Sequence, residues 1–235
     1  MLQALLKNPI FVALDLDDIA QVRKLANDVA PFVGGYKVGP RLCMRYGPSL
    51  VSELARLRPV FVDNKYFDIP NTMESAVAAT FDAGASFATV HAQSGAEALR
   101  RLSELETKLN RERPFKILSV TILTSFAQHQ LPAVSREMPM ARQVEALAEL
   151  TLESGLTGLV CSAEEVLELR RRHPESFLVV PGIRMPGGEM GDQMRVSDPG
   201  SALMAGASAL VVGRPIIAAQ DPVAAAKLFA EATNI

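Results

Sequence analysis

The sequence predicts an α/β fold, a single (β/α)8 (TIM) barrel spanning residues 1–235. Three observations predict it. Short β-branched runs alternate with longer amphipathic ones along the whole chain, which is the pattern of a parallel sheet wrapped by helices. The strand-like runs are continuously apolar rather than alternating, as strands covered on both faces require. No linker, low-complexity stretch or change of composition divides the series. Eight strand signals in a chain of 235 residues favour a closed barrel over an open doubly wound sheet.

In chain order the strand signals begin with IFVAL (10–14), GGYKV (34–38), VFVD (60–63) and FATVH (87–91). KILSVTI (116–122), GLVC (158–161), FLVVP (177–181) and ALVVG (209–213) follow. Between them, DIAQVRKLANDVA (18–30) sets Ile19, Val22, Leu25, Ala26 and Val29 on one helical face. NTMESAVAATFDAG (71–84), GAEALRRLSELETKLN (95–110), ARQVEALAELTLESG (141–155) and AEEVLELRRR (163–172) behave alike. Several end with Gly soon after the last apolar turn, as helix C-caps do.

Composition narrows the function classes. Hydrophobic residues make up 49% of the chain, enough for one large core. The 24 basic and 26 acidic residues are mixed and leave a net charge of −2, which argues against a nucleic-acid or membrane surface. Trp is absent and aromatics are few, so base-stacking platforms are not expected. Cys43 and Cys161 lack any CxxC spacing and read as small apolar side chains in a reducing compartment. The opening MLQALLKNPIFVALDL is broken by Lys7 and Pro9 and has no basic n-region or cleavage site. No run approaches the ~18–20 apolar residues of a spanning helix, so a soluble cytoplasmic protein is expected. No HExxH, CxxC or ligand-spaced acidic triplet appears, and no metal site is expected.

Barrels of this type carry their active sites at the C-terminal ends of the strands. Polar residues gather there: Asp15, Lys37, Asp63 with Lys65, His91, Thr121 and Thr124, Arg184, and Gly213 with Arg214. Asp63 and Lys65 stand at i and i+2, so an extended chain points both to one side. With Asp15 and Lys37 they make four alternating charges in one mouth. An opposite charge within ~4–6 Å favours the charged form of each. Such a cluster is either an ion-pair network bracing the barrel top or a site, and function explains it more economically because buried ion pairs stabilise weakly. Asp68 precedes Ile69-Pro70-Asn71-Thr72 and reads either as a site residue or as a helix N-cap. Arg214 follows strand 8, where barrels often hold phosphate, although a surface Arg is the plain alternative. PGIRMPGGEMGDQMRV (181–196) reads as a functional loop, often a lid, or as an ordinary connection. His91 reads as a hydrogen-bonded structural residue.

These residues resemble a known family. DNKYFDIPNT (63–72) resembles the D-x-K-x-x-D-I-P-N-T signature of the orotidine 5′-phosphate decarboxylases. The resemblance continues in order through ALDL with Asp15, YKVG with Lys37, VHA with His91, VTILTS with Thr124, PGIR–GDQ with Arg184 and Gln193, and VVGRP with Arg214. D-x-K-x-x-D alone is shared with other decarboxylases and aldolases of the superfamily; the IPNT, GDQ and GRP segments are more specific. Asn64 departs from the apolar residue expected there.

The resemblance implies decarboxylation of orotidine 5′-monophosphate to UMP, the last step of pyrimidine synthesis, without cofactor or metal. It implies that Lys65 protonates C6, that Asp63 sits by the substrate carboxylate and that Lys37 orders the network. Asp15 would hold a ribose hydroxyl and Thr124 would face the pyrimidine. Arg184, Gln193, Gly213 and Arg214 would complete the substrate site, with Gln193 and Arg214 on the phosphate. It also implies a homodimer in which Asp68 and Thr72 reach into the partner's site.

Overall fold

The computed structural model describes residues 8–135, 137–187 and 195–233. Eight parallel strands close into a barrel in the order β1 to β8, with β8 pairing back onto β1 through Phe11↔Val211. They are β1 Ile10–Ala13, β2 Gly35–Val38, β3 Val60–Tyr66, β4 Phe87–His91, β5 Lys116–Val120, β6 Gly158–Val160, β7 Phe177–Val180 and β8 Ala209–Val212.

Strand alternation divides these apolar runs between the barrel interior and two helix-facing clusters, the smaller of which holds Ala88, Val90 and Ile117. Ile10, Val12, Tyr36, Val60, Val62, Leu159 and Leu210 belong to the core packed with the helices. Phe11, Ala13, Phe61, Phe87, Leu118, Phe177, Val179, Ala209 and Val211 fill the barrel itself. Phe11 meets Phe61 and Phe87 edge-on, with centroids 6.1 and 5.3 Å apart, and Phe87 stacks on Phe177 at 5.8 Å. Aromatic pairs of this kind contribute about 0.5–1.5 kcal/mol beyond their buried area. Gly35 makes the packing possible, because a Cβ there would lie 2.3 Å from Phe11 Cε1. This aromatic cluster fills the barrel beside the cavity at the strands' C-terminal ends.

The helices are α1 Ile19–Val29, α2 Pro40–Ala55, α3 Pro70–Asp82, α4 Ala96–Leu109, α5 Met140–Glu153, α6 Ala163–Arg172, α7 Pro199–Met204, α8 Arg214–Ile217 and α9 Pro222–Glu231. Side chains start several of them. Asp18 caps α1, Asp198 caps α7, Asp221 caps α9, and Ser162 with Glu165 forms a capping box on α6. Apolar periodicity does not single out α2, α7, α8 or α9. In α2 the period is interrupted at Gly47 (φ 62°) and Pro48, where two helical pieces join across a kink. α7 and α8 are too short, at 6 and 4 residues, to display a period. Among the described residues no helix is long and apolar enough to cross a membrane.

Candidate active site

The strands' C-terminal ends surround a cavity of about 490 Å³, within the ~300–1,000 Å³ usual for small-ligand sites. Ala13, Phe61, Val120, Val160, Val179 and Val211 line its apolar base and wall. Asp15, Lys37, Asp63, Lys65, Thr124, Arg184, Gly213 and Arg214 also line it.

The four charges form one chain. Lys37 Nζ lies 3.5 Å from Asp15 Oδ1 and 3.4 Å from Asp63 Oδ2, and Lys65 Nζ lies 2.9 Å from Asp63 Oδ1. Lys37 and Asp63 side chains are each only 13% exposed, against 37% for Lys65 and 45% for Asp15. The inner pair is therefore largely buried, while the two ends are more exposed.

Extended-strand alternation does not deliver Lys65. Val62 pairs with Ala88 but Tyr66 with Val90, so β3 spends two more residues than β4 over the same rise. The excess is a bulge, and Lys65 inside it has φ +49°, the one positive φ at a non-glycine among the described residues. Bulges next to active sites re-aim side chains in this way. The expected pairing of Asp63 with Lys65 is present, but the turn makes it. Behind the bulge, Asn64 Nδ2 donates to Tyr66 Oη at 3.0 Å, Tyr66 Oη stands 2.7 Å from Thr80 Oγ1, and Thr80 donates to Ala76 O at 2.8 Å. Asn64 thus turns toward α3, outside the cavity lining.

Two guanidiniums occupy the rim. The Arg184 backbone N–H donates to Ser197 O at 2.9 Å, and its Nη1 donates to Ile183 O at 2.9 Å. Burial, and then the charge of Arg214, hold the Arg184 guanidinium below its usual range. Two converging cations of this kind suit a dianion such as a phosphate. Arg195, buried, pairs with Glu165 and donates to Ser162 Oγ at 3.0 Å and to Leu123 O at 3.4 Å. It thereby ties the loop carrying Leu123 and Thr124 to the start of α6.

The family follows from the sequence over the same span. The model of the "Orotidine 5'-phosphate decarboxylase / HUMPS family" matches residues 8–229. The chain belongs to this family. It is 43% identical to the orotidine 5′-phosphate decarboxylase of Anaeromyxobacter dehalogenans over 224 residues, 94% of this chain and 96% of that one. It is 38% identical to that of Shewanella sediminis over 229 residues, covering 97% of both. The crystal structure of the Lactobacillus acidophilus orotidine 5′-phosphate decarboxylase superposes with a TM-score of 0.84 at 33% identity, covering 97% of this chain and 100% of that one.

Against the orotidine 5′-phosphate decarboxylase pattern, Asp15, Lys37, Asp63, Lys65, Thr124, Arg184, Gly213 and Arg214 converge on one cavity. Asp68 and Thr72 do not. Both are exposed and absent from its lining. Asp68 is not the N-cap of α3 either: Ile69 occupies that position, and Asp68 Oδ1 accepts from the Ile69 N–H at 2.7 Å. Gln193 and most of the GDQ loop lie outside the described residues. Among other flagged residues, Thr121 donates to Val160 O at 3.1 Å and is not part of the lining. The expected hydrogen bond to the His91 ring is not found at Nδ1, which is buried without a partner; the ring packs against Phe67 at 5.5 Å. Burial, then the Lys65 charge, push the His91 pKa below 6.5. Of the cysteines, Cys161 is buried but Cys43 only partly so. The Arg195–Glu165 pair and the Asn64–Tyr66–Thr80 relay had no sequence signal, since each joins residues from separate elements.

Proposed function

We propose that this chain decarboxylates orotidine 5′-monophosphate to UMP, with Lys37, Asp63, Lys65 and Asp68 as the reacting network. The observation that carries the reading is the alternating chain Asp15–Lys37–Asp63–Lys65 in a cavity whose rim holds two guanidiniums. Breaking the C6–carboxylate bond releases CO2 and leaves the electron pair on C6, where no π system spreads it. Fixed charges in a dry site must stabilise that carbanion. The Lys65 ammonium does so and then gives C6 its proton. Asp63, gripped by Lys37 and Lys65, stands by the departing carboxylate.

Asp15 takes a ribose hydroxyl and Thr124 the pyrimidine. Arg214, Arg184 and the backbone at Gly213 receive the phosphate, with Gln193 bridging phosphate and base. Phosphate binding is remote from the bond broken, so its energy can be realised in the transition state. Asp68 and Thr72 serve the neighbouring site of a homodimer. Their exposure outside their own cavity supports this, as do the flanking Phe67 and Ile69, 60% and 66% exposed. The whole chain, 1–235, acts as one domain, and the two free cysteines suit the reducing cytoplasm.

The test is the loss of orotidine 5′-monophosphate absorbance on adding the purified chain, with and without a chelator. Turnover indifferent to chelator supports the reading. No turnover would sink it, and turnover abolished by chelator would point to the metal-dependent chemistry of the wider superfamily.

A further inference from the structure

We infer that Thr89 is a positioning residue for this reaction: its hydroxyl, buried opposite the β3 bulge, holds the Asp63 carboxylate and the left-handed backbone of Lys65 in one geometry. The assignment deepens the decarboxylase reading and rests on it.

The register isolates Thr89. Ala88 pairs with Val62 and Val90 with Tyr66, so Thr89 alone faces Asp63, Asn64 and Lys65. It shares a strand face with Phe87, which points into the barrel, and it is fully buried. Its Oγ1 accepts the backbone N–H of Lys65 at 2.9 Å and donates to Asp63 Oδ1 at 3.1 Å. A hydroxyl has one proton. Here the acceptor side holds the Lys65 backbone and the donor side orients the carboxylate.

Lys65 Nζ returns to the same Oδ1 at 2.9 Å. The ring runs from the Lys65 N–H to the Thr89 hydroxyl, on to the Asp63 carboxylate, and back to Lys65 through its own side chain. A valine would fill the same space. It would leave a bulge N–H without its acceptor, take one donor from Asp63, and release a φ that side chains rarely adopt. The chemistry depends on this geometry, because Asp63 and Lys65 meet the two ends of the bond that changes. Ribose and phosphate contacts lie elsewhere in the cavity.

The experiment compares wild type with Thr89→Val and Thr89→Ser, reading kcat for orotidine 5′-monophosphate and the Kd of UMP. Misplacement of a reacting group by ~1 Å can cost ~10²-fold, so Thr89→Val is expected to lower kcat by about 10- to 100-fold. Its UMP affinity should stay within about threefold, since UMP lacks the reacting carboxylate and the loss falls on the transition state. Thr89→Ser keeps the hydroxyl and should recover most of the rate. If Thr89→Val does not fold, Thr89→Ala against Thr89→Ser makes the same comparison. A Thr89→Val enzyme within about twofold of wild-type kcat overturns the inference. So does parallel loss of kcat and UMP affinity without rescue by serine, the mark of general structural damage. Wild type inert toward orotidine 5′-monophosphate removes the decarboxylase reading itself, an outcome distinct from an active wild type with an indifferent variant.

Discussion

Lys65 Nζ rests 2.9 Å from Asp63 Oδ1, and a left-handed turn at Lys65 itself, φ +49°, brings it there. The strand that carries this bulge leads on to Asp68 and Thr72, which are exposed and absent from the cavity lining that includes Lys65. That division within one segment sets the first prediction. Lys65→Ala and Asp68→Ala should each be inactive alone. Mixed in equal amounts with free subunit exchange, they should recover about a quarter of wild-type activity, because two-fold symmetry leaves one intact site in each mixed dimer. Tagged subunits verify exchange. Mixing that restores nothing would place Asp68 in its own chain's site, and an active Asp68→Ala would leave it no role in the reaction.

Arg214 is exposed at the rim beside the buried Arg184. Its replacement by Ala should cost about 2–5 kcal/mol in kcat/KM, the scale of a truncated charge pair at an interface. Steady-state kinetics measure it directly. A variant within about twofold of wild type would remove Arg214 from the site.

Tyr66 stands between Asn64 and Thr80. Tyr66→Phe deletes the acceptor for Asn64 Nδ2, whose carbonyl oxygen already lacks a partner. A buried polar group left unsatisfied costs about 1–3 kcal/mol. The urea midpoint should fall by that equivalent. An unchanged midpoint would mean that the relay contributes nothing to the fold.

His91 supplies a pH test. Its folded pKa is held below 6.5, first by burial and then by Lys65. Between that value and the unfolded one, the unfolded chain binds more protons, so stability rises with pH there. The His91 contribution is complete above about pH 6.5 and is lost as pH falls through the folded pKa. From about pH 7 to pH 5, Tm should drop more steeply for wild type than for His91→Gln. Parallel Tm curves would show that the ring is not held neutral.

The strand series and its parallel, helix-covered character are legible in the chain alone, while closure of the barrel is shown by β8 pairing back onto β1. The legible properties are local. Continuous apolar runs such as FLVV are legible from composition and period, and polar residues after most of the runs point to one rim. Motif spacing likewise determined the family. How Lys65 reaches Asp63 is not legible there, because the bulge is defined by pairing with β4 as much as by β3 itself. The two partners of the Thr89 hydroxyl, 24 and 26 residues away, are likewise visible only in the folded chain. The alternation of FATVH does place Thr89 on the same face as Phe87 and His91, but a face is not a hydrogen bond. The tertiary structure also separated Asp68 and Thr72 from the cavity that their motif neighbours line, since the direction of the chain after the bulge depends on where α3 packs. Period and spacing report which way a side chain leaves its own element; which group it meets depends on the register of another.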